Sequence, residues 1–490
     1  MSSTTRPTAA PRSGARWAVR GAATVVALVV AVGTIGAAHL VDAPALTGSV
    51  PRIAERPAGR TVTPVPADAE RVCAGSVLQL SDETGADATT ATRVGRQTVA
   101  AASSTGDVER GALQASSNGG SDPTVLTAKA RDRTPTVAGS GIQDIERGDL
   151  AGLAAASCDD PATSTWLVGG STETGRTSLI TLSNPTDVNA TVDLDVFTGS
   201  GTASAPGTTG IVVAPNTQKV VPLAGFVSDQ TSPVVHVTSS GGQIVATMQE
   251  SVVRTLTPGG VDIVEGSAEP SRSQTIPGVV LQDAQGAQSG SDTADAAPIV
   301  RVFVPGSSAA DLTLAITTAD GAGTTVTANA DGGVVTDVPL DDFPDGVYSI
   351  SVSSTVPVVA AARTSTPTSD GRADLGWFAS APTLTGPTLV DVVDGPDATM
   401  TLVNPTTSNA TVRLVAGAGA GAGSDSSPRT VTVTVPAGST ASTSFPTSRP
   451  ITIRGAAGLT AGITYQGDAG IAGFPLRPGA AVSTPVTVYP

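Results

Sequence analysis

The stretch "LSNPTDVNATVDL" runs from Leu182 to Leu194, and "LVNPTTSNATVRL" runs from Leu402 to Leu414. Nine of the thirteen positions are identical. In each copy an apolar segment meets Asn-Pro, which favours an extended or turn conformation. A short polar loop and a second apolar segment follow. The chain therefore repeats one strand–turn–strand unit.

The segment after the turn alternates between apolar and polar side chains. In the first copy Val192, Leu194 and Val196 alternate with Asp193 and Asp195. A period of two buries one face of a strand and exposes the other. The repeated stretch is thus predicted to be a β-hairpin with one face in a core.

A weaker third copy, "VFVPGSSAADLTL", lies at 302–314. Downstream of the copies at 182–194 and 302–314, "VPLAGF" at 221–226 corresponds to "VPLDDF" at 338–343. Upstream of two copies, Trp166 and Trp377 stand in similar contexts. Three units of about 100 residues, each with several short strands, predict three β-sandwiches in a row.

These motifs also carry a resemblance. The hairpin and "VTVTVPAGST" at 431–440 resemble bacterial immunoglobulin-like domains. The layout resembles a family of uncharacterised secreted or membrane-anchored proteins of high-GC Gram-positive bacteria. That family shares a WxVGG-like strand, the NPT…ATV hairpin, a "TPxGVD" turn (257–262 here) and "IPGVV" (276–280). The resemblance implies a fold and a location, and it assigns no activity.

The predicted fold class is all-β: tandem immunoglobulin-like β-sandwiches after one N-terminal transmembrane helix and a Pro-rich stalk. Within the divergent module that follows the stalk, the stretch 142–157 favours a short helix interrupted by Gly148. The predicted order is a cytoplasmic basic tail (1–20), a transmembrane helix or signal anchor (21–41), a Pro-rich linker (42–69), a divergent β-rich module with a disulfide (70–160) and three sandwiches (161–270, 271–370 and 371–490).

Residues 21–41 form an apolar run without formal charge, long enough to span a bilayer as a helix. Four arginines precede it, which predicts a cytoplasmic N-terminus. A cleaved signal peptide is the alternative. The predicted localisation is the cell membrane, single-pass with the C-terminal bulk extracellular, or secretion if the signal is cleaved. The arginines are Arg6, Arg12, Arg16 and Arg20.

The net charge limits the class of partner that the chain can bind, and its two cysteines indicate a disulfide. The chain has 27 basic and 42 acidic residues, a net charge of −15. Such a surface repels phosphate backbones, so no nucleic-acid partner is expected. Cys73 and Cys158, the only cysteines, lie in the predicted exported part and are expected to form a disulfide.

Catalytic signals are weak. His236 is the only histidine after the apolar run, and it sits in a probable strand in a cross-strand or solvent-facing position. One histidine cannot supply an HExxH site, and no G-x-S-x-G elbow occurs. No catalytic residue, cofactor or metal ligand is predicted. Calcium at two acidic loops is a weak alternative; the loops contain Asp341, Asp342 and Asp345, and Asp391, Asp394 and Asp397.

The predicted function is a non-catalytic structural or interaction module of the cell envelope, anchored to the membrane by the N-terminal helix. A wall polymer or an envelope protein is the expected partner. One alternative is a set of carbohydrate-binding modules, which requires exposed Trp166 and Trp377. Their matched positions favour a core role instead. A carboxylate-dependent glycosidase is the second alternative and requires two acids about 5–10 Å apart.

Overall fold

The computed structural model describes residues 60–62, 65–80, 91–115, 119–288, 294–321, 323–340, 343–417, 429–447, 449–479 and 486–488. These residues form many short strands, one four-residue helix, α1 (Ala284–Ala287), and two 3₁₀ turns at Leu223–Gly225 and Ala294–Ala296. The predicted all-β class is confirmed.

The strands fall into four consecutive groups. Those that precede the first repeat are β1 (Arg60–Val62), β2 (Ala69–Cys73), β3 (Leu78–Leu80), β4 (Ala91–Arg93), β5 (Thr98–Ser103), β6 (Glu109–Ala112), β7 (Gln114–Ala115), β8 (Thr124–Ala128), β9 (Val137–Arg147) and β10 (Leu150–Ser157). Those of the first repeat are β11 (Ser164–Val168), β12 (Arg176–Asn184), β13 (Ala190–Thr198), β14 (Gly201–Ala203), β15 (Ile211–Val213), β16 (Thr217–Pro222), β17 (Val234–Gly241), β18 (Val245–Arg254), β19 (Thr257–Val264) and β20 (Gly266–Ser267).

The second repeat contains β21 (Ser271–Leu281), β22 (Ile299–Phe303), β23 (Ala310–Thr318), β24 (Gly323–Ala330), β25 (Val335–Pro339), β26 (Gly346–Pro367) and β27 (Ala373–Ala379). The third repeat and the C-terminal end contain β28 (Thr388–Val390), β29 (Thr399–Asn404), β30 (Ala410–Ala416), β31 (Arg429–Val435), β32 (Ser439–Ser444), β33 (Ile451–Arg454), β34 (Thr460–Gly467), β35 (Gly470–Pro475) and β36 (Val486–Val488).

The chain divides into two compact units. One comprises residues 1–62 and 485–490. In its described part β1 pairs antiparallel with β36. The other unit, residues 63–484, contains all the remaining strands.

Within residues 63–484 the three repeats share one strand pairing. We number the equivalent strands of each repeat from one to eight. In the first repeat these are β11–β13 and β15–β19; in the second they are β21–β25, the two halves of β26, and β27; in the third they are β28–β35. Each repeat has two sheets: one, which we call the cover sheet, has the strand order four–three–six–one, and the other, which we call the ring sheet, has the order five–two–seven–eight. The three copies of the opening hairpin are therefore strands two and three of equivalent sandwiches.

A buried asparagine explains part of the repeated stretch. The Asn184 Nδ2 group donates to the carbonyls of Val188 at 2.8 Å and Val213 at 3.0 Å. Its Oδ1 atom accepts the N–H of Thr186 at 3.0 Å. One side chain thus ties the loop of the hairpin to the neighbouring fourth strand.

The third repeat has the same clamp. The Asn404 Nδ2 group donates to the carbonyls of Ser408 at 2.8 Å and Val435 at 3.0 Å, and Oδ1 accepts the N–H of Thr406 at 3.1 Å. The second repeat has the buried Val304 before its proline, so this clamp cannot form there. The Asn-Pro-Thr identity of the first and third copies therefore has a physical reason.

Replacing Asn184 by alanine is expected to lower the free energy of unfolding by about 2 kcal/mol, because the buried carbonyl of Val213 and the part-buried carbonyl of Val188 lose their donor. Urea unfolding with the disulfide intact measures this change. Asn189→Ala is the control, since Asn189 is an exposed residue of the same loop and exposed substitutions change stability by about 0.5 kcal/mol or less. Equal effects of both substitutions would contradict the clamp.

The eighth strands of the repeats meet. β19 and β35 each contact β27, and both also contact β10. β10 belongs to a three-stranded sheet with β9 and β5, which stands where a fourth ring sheet would be. The innermost strands of four sheets thus close a ring, an arrangement typical of radial repetition in β-propellers. The sandwiches do not form the linear row expected from the sequence.

The helix predicted for residues 142–157 is wrong. This stretch forms most of the β9–β10 hairpin, which turns at Gly148 with a φ of +57°. Neighbouring sheets cover both faces of β10, so alanines and leucines are buried without the alternation of a half-exposed strand. Such a continuous apolar run cannot be told from a helix by periodicity.

The predicted disulfide is confirmed. Cys73 at the end of β2 is bonded to Cys158, just after β10, with an S–S distance of 2.05 Å. Both cysteines are buried with Leu126, Ala128 and Val137. The bond joins the sheet formed by β2, β8 and β6 to the ring sheet that contains β10.

The predicted single-pass membrane localisation is contradicted. Crossing a bilayer takes a helix of about 20 apolar residues, and no helix among the described residues is long and apolar enough. The longest α-helix there is α1, with four residues. Residues 21–41 lie outside the described ranges.

Candidate functional site

The ring axis is the first candidate site, because one side chain there accepts hydrogen bonds from backbone N–H groups that have no partner strand. β10, β19, β27 and β35 are each the last strand of their sheet. The edge that faces the axis has no partner strand, and buried backbone N–H groups need an acceptor. A closed ring of sheets therefore requires polar atoms at its centre.

Asp374 of β27 provides the acceptor. Its Oδ2 atom accepts the N–H of Leu153 in β10 and of Ile471 in β35, both at 3.1 Å. Its Oδ1 atom accepts the N–H of Val261 in β19 at 3.3 Å. The side chain is fully buried. One carboxyl group thus bonds to all three other strands of the ring.

Three glycines make room for this carboxyl group. Gly152, Gly260 and Gly470 occupy the place of Asp374 in the other strands, with φ values of +148°, +118° and +141°. A Cβ atom would stand 2.2 Å from Oδ1 of Asp374 at Gly152, and 1.8 Å from Oδ2 at Gly470. At Gly260 it would stand 2.5 Å from the backbone N of Leu375. The axis therefore accommodates one aspartate and three glycines.

Burial raises the pKa of Asp374 to about 8, although backbone N–H groups, that of Leu375 among them, oppose the shift. Burial, assisted by the charge of Asp159, also raises the pKa of Glu265 to about 8. The Ser157 backbone N–H and hydroxyl both donate to Glu265 at 2.7 Å. These acids are held inside the fold, where their protonation is coupled to folding.

A second polar cluster lies between the first and second repeats. Arg301 of β22 is fully buried and donates to Asp337 at 2.9 Å and 3.1 Å. It also donates to three carbonyls in loops of the first repeat: Gly170 after β11 at 2.8 Å, and Thr231 and Pro233 before β17 at 3.0 Å and 3.2 Å. A single guanidinium group therefore fixes loops of one repeat against a strand of the next.

Trp377 is the centre of this cluster. The guanidinium carbons of Arg301 and Arg363 lie over its ring, at 5.0 Å and 5.9 Å from the ring centroid. Its backbone N–H donates to Asp262 at 2.7 Å, and its indole N–H donates to Glu250. Burial raises the pKa of both acids. Trp377 is 2% exposed, so it serves the interior.

Trp166 is also buried, at 7% exposure, and stacks on His236 with a centroid distance of 4.0 Å. The imidazole Nε2 lies 3.0 Å from the Ser164 hydroxyl, and Nδ1 lies 3.9 Å from Asp195. The order resembles a catalytic triad, but 3.9 Å exceeds a hydrogen bond. Burial lowers the pKa of His236. The contacts give His236 the expected cross-strand packing role.

The aspartates of the two acidic loops that the structure describes do not come together as a metal site. Asp341 and Asp342 lie outside the described residues. Asp345 accepts the N–H of Asp283 at 2.8 Å, and Asp394 accepts the Thr447 hydroxyl at 2.5 Å. In the described part of the chain, no three His, Cys, Asp or Glu side chains are grouped to hold a metal.

A shallow cleft of about 210 Å³ opens at one end of the axis, beside Gly152. Arg372 in its wall pairs with Glu146 at 2.9 Å and also with Asp370. A larger cleft of about 740 Å³ lies beside α1 and includes Phe343. Asp374 does not line either cleft, so its carboxyl group has no route to a substrate there.

Asp374 and its three glycines belong to no repeated pattern that is visible in the sequence alone. One signal was present: the "TPxGVD" motif contains Gly260 and Asp262, which lie at the axis and beside Trp377. The four short stretches "GDLAGL", "GGVDIV", "GRADLG" and "DAGIAG" differ too much to align without the strand pairing.

Stability is expected to fall as the pH rises from about 5 to 9. The folded-state pKa values of Asp374 and Glu265 are raised above their unfolded values of about 4. Their contribution is therefore complete below pH 4 and is lost as the pH passes 8. Burial acts to raise the pKa of Asp295 and Asp337, but the arginines paired with them, Arg176 and Arg254 for Asp295 and Arg301 for Asp337, lower it overall. The contribution of these two acids to stability is already complete above pH 5. Urea midpoints at several pH values measure the slope.

Asp374→Asn is the matched variant for this measurement, because it removes one titrating group with little change of shape. Its midpoint should depend less on pH than that of the natural chain. A midpoint that rises between pH 5 and 9 would contradict the assignment of buried, proton-binding acids.

These features define a class: an all-β protein in which two-sheet repeats surround a buried carboxyl group, with the polar groups at the centre bonded to the fold itself. The chain belongs to DUF5719, a family of unknown function, whose family model matches residues 113–446. No curated protein matches the chain. One solved structure, described as a tetra-tandem repeat in the extending region of a large adhesion protein, is 14% identical, with 85% of this chain and 100% of that chain covered. Its TM-score of 0.10 is too low to support an argument.

Proposed function

We propose that this chain is a non-catalytic extracellular protein with a structural or interaction role in the envelope of a high-GC Gram-positive bacterium. One observation carries the proposal: the buried acids at the axis and beside Trp377 are bonded to backbone N–H groups and an indole of the fold. Groups used in this way stabilise a scaffold and are not free to transfer protons to a substrate.

Two further properties support this setting. The Cys73–Cys158 disulfide is typical of oxidising compartments outside the cytoplasm. The net charge of −15 disfavours nucleic acid and keeps the surface soluble. A wall polymer or an envelope protein is the partner that we propose.

The proposal includes an immunoglobulin-like origin of the repeats. Immunoglobulin domains place strands A, B, E and D in one sheet and C, F and G in the other. The repeats here keep the pairs two–five and three–six, whereas strands one, four and seven lie in the opposite sheet. This shared centre with exchanged flanking strands supports a related sandwich, not an identical topology.

Binding without turnover tests the proposal. The full-length chain is incubated with isolated cell walls, sedimented, and assayed for released reducing sugar. We expect cosedimentation without sugar release. Release of reducing ends would replace the proposal with the glycosidase alternative. The reduced, urea-unfolded chain is the control for non-specific adsorption.

The carbohydrate-module alternative depends on exposed tryptophans, and iodide quenching tests it. Trp17 is replaced by phenylalanine so that fluorescence reports on Trp166 and Trp377 alone. We expect weak quenching in the folded chain and strong quenching after unfolding, because both rings are buried. Strong quenching in the folded chain would favour a sugar-binding platform.

A further inference from the structure

Several sheet edges in the described part of residues 63–484 are protected. β7 pairs with the free side of β16, and β20 pairs with that of β11. β25 carries Asp337 and ends at Pro339. Charge, proline and covering strands are the usual means by which proteins prevent edge-to-edge pairing.

β31 is an exception. It pairs with β30 along its full length, from Ala410↔Val435 to Ala416↔Arg429, without a register shift. In the described ranges no strand pairs with its other side. Its sequence, RTVTVTV, contains one charge, Arg429 at the end, and no proline. Such an edge is a template for another strand.

The side chains of β31 alternate strictly. Val431 and Val433 are partly buried against the core of the third repeat, and Val435 is fully buried there. Thr430 and Thr434, like the threonine between them, are exposed. Val and Thr also have high strand propensity.

This alternation makes β31 complementary to itself. If two copies pair antiparallel about a two-fold axis at Thr432, Val431 lies opposite Val433 and Thr430 lies opposite Thr434. Residues of the same type then share a face, as an isologous contact requires. Each Arg429 lies opposite Val435 of the other copy, so the two arginines stand at opposite ends of the pair, about 20 Å apart.

Charge favours the same contact. With a net charge of −15, two copies repel each other over most of their surfaces. β31 has no acidic residue, so the strand itself adds no negative charge to this contact. Salt screens the remaining repulsion, and added salt should therefore strengthen the contact.

We infer that the chain forms a two-fold homodimer through antiparallel pairing of β31 with β31 of a second copy. The pairing joins two cover sheets of the order β28–β33–β30–β31 into one continuous sheet. The inference goes beyond the proposed function, because self-association needs no envelope ligand. β24 and β32 are the competing edges, because each also lacks a charge and a proline. Neither has the Val–Thr alternation of β31: β24 contains Gly, Ala and Asn, and β32 contains Ser and Ala, which favour strands less.

Cysteine cross-linking of the full-length chain tests this inference. The native cysteines are bonded to each other, so a new cysteine supplies the only free thiol. Thr432→Cys should form a disulfide-linked dimer under mild oxidation, whereas Thr327→Cys on the exposed face of β24 should not. Cross-linking at position 327 and not at 432 would overturn the assignment of the edge.

Sedimentation equilibrium gives the second readout. The natural chain should reach twice its mass of 48.0 kDa as concentration and salt increase. Thr432→Lys places like charges opposite each other and should weaken the dimer at least about tenfold, with unchanged circular dichroism and melting temperature. A monomer at every concentration and salt, or a dimer unaffected by Thr432→Lys, would overturn the inference. Neither result bears on cell-wall binding.

Discussion

Replacing Asp374 by alanine is expected to lower the free energy of unfolding by about 4 kcal/mol or more. The substitution removes the acceptor for backbone N–H groups of β10, β19 and β35, and each buried donor left without a partner costs about 1–3 kcal/mol. Urea unfolding of the full chain at pH 7 with the disulfide intact measures the change.

A double-mutant cycle with Gly470→Ala separates this role from a general loss of packing. The added Cβ would stand 1.8 Å from Oδ2 of Asp374, so the single substitution should be strongly destabilising. In an Asp374→Gly background the clash is gone, and only the strain of alanine at a φ of +141° remains. We expect a coupling of at least about 1 kcal/mol. Additive effects would show that the carboxyl group does not fill this space.

Replacing Arg301 by methionine is the second large change, with an expected loss of about 3–5 kcal/mol. The substitution removes the guanidinium partner of Asp337, and it leaves the carbonyls of Gly170, Thr231 and Pro233 without this donor. Because Arg301 joins the second repeat to loops of the first, both repeats should unfold together in the variant. The unfolding transitions measured by tryptophan fluorescence and by far-ultraviolet circular dichroism should therefore shift together to a lower urea concentration than in the natural chain.

Arg301→Lys keeps the charge but loses the planar fork that reaches several acceptors, so it should recover only part of the loss. Arg413→Met is the matched control, because Arg413 is an exposed arginine at a strand centre. Full recovery by lysine would show that charge alone matters at this position. An equal loss from Arg413→Met would show that the effect is not specific to the buried contact.

Several features followed from local pattern. Alternation around Val192 and Leu194 predicted a half-buried strand, and β13 has that pattern in the structure. An isolated pair of cysteines predicted the disulfide. Matched contexts predicted that Trp166 and Trp377 fill the interior, and both are buried. Each inference depends on residues that are close in sequence or unique in composition.

Other inferences failed where local pattern has no information. The Ala-rich run at 150–157 favoured a helix, but the neighbouring ring sheets bury both faces of β10. The predicted membrane localisation was also contradicted. Gly470 and Asp374 lie 96 positions apart, and the residues that flank each of them in the sequence do not indicate that the two are in contact.

The strands of the repeats, the recurrence of the hairpin and the cysteine pair could be read from the amino-acid sequence, because side-chain period, turn residues and composition act within a few positions. The closure of the sheets into a ring, and the bonding of one aspartate to the other three strands, emerged only with the packed fold. The reason is geometric: the N–H groups that Asp374 satisfies become unpaired only when the innermost strands of four sheets meet.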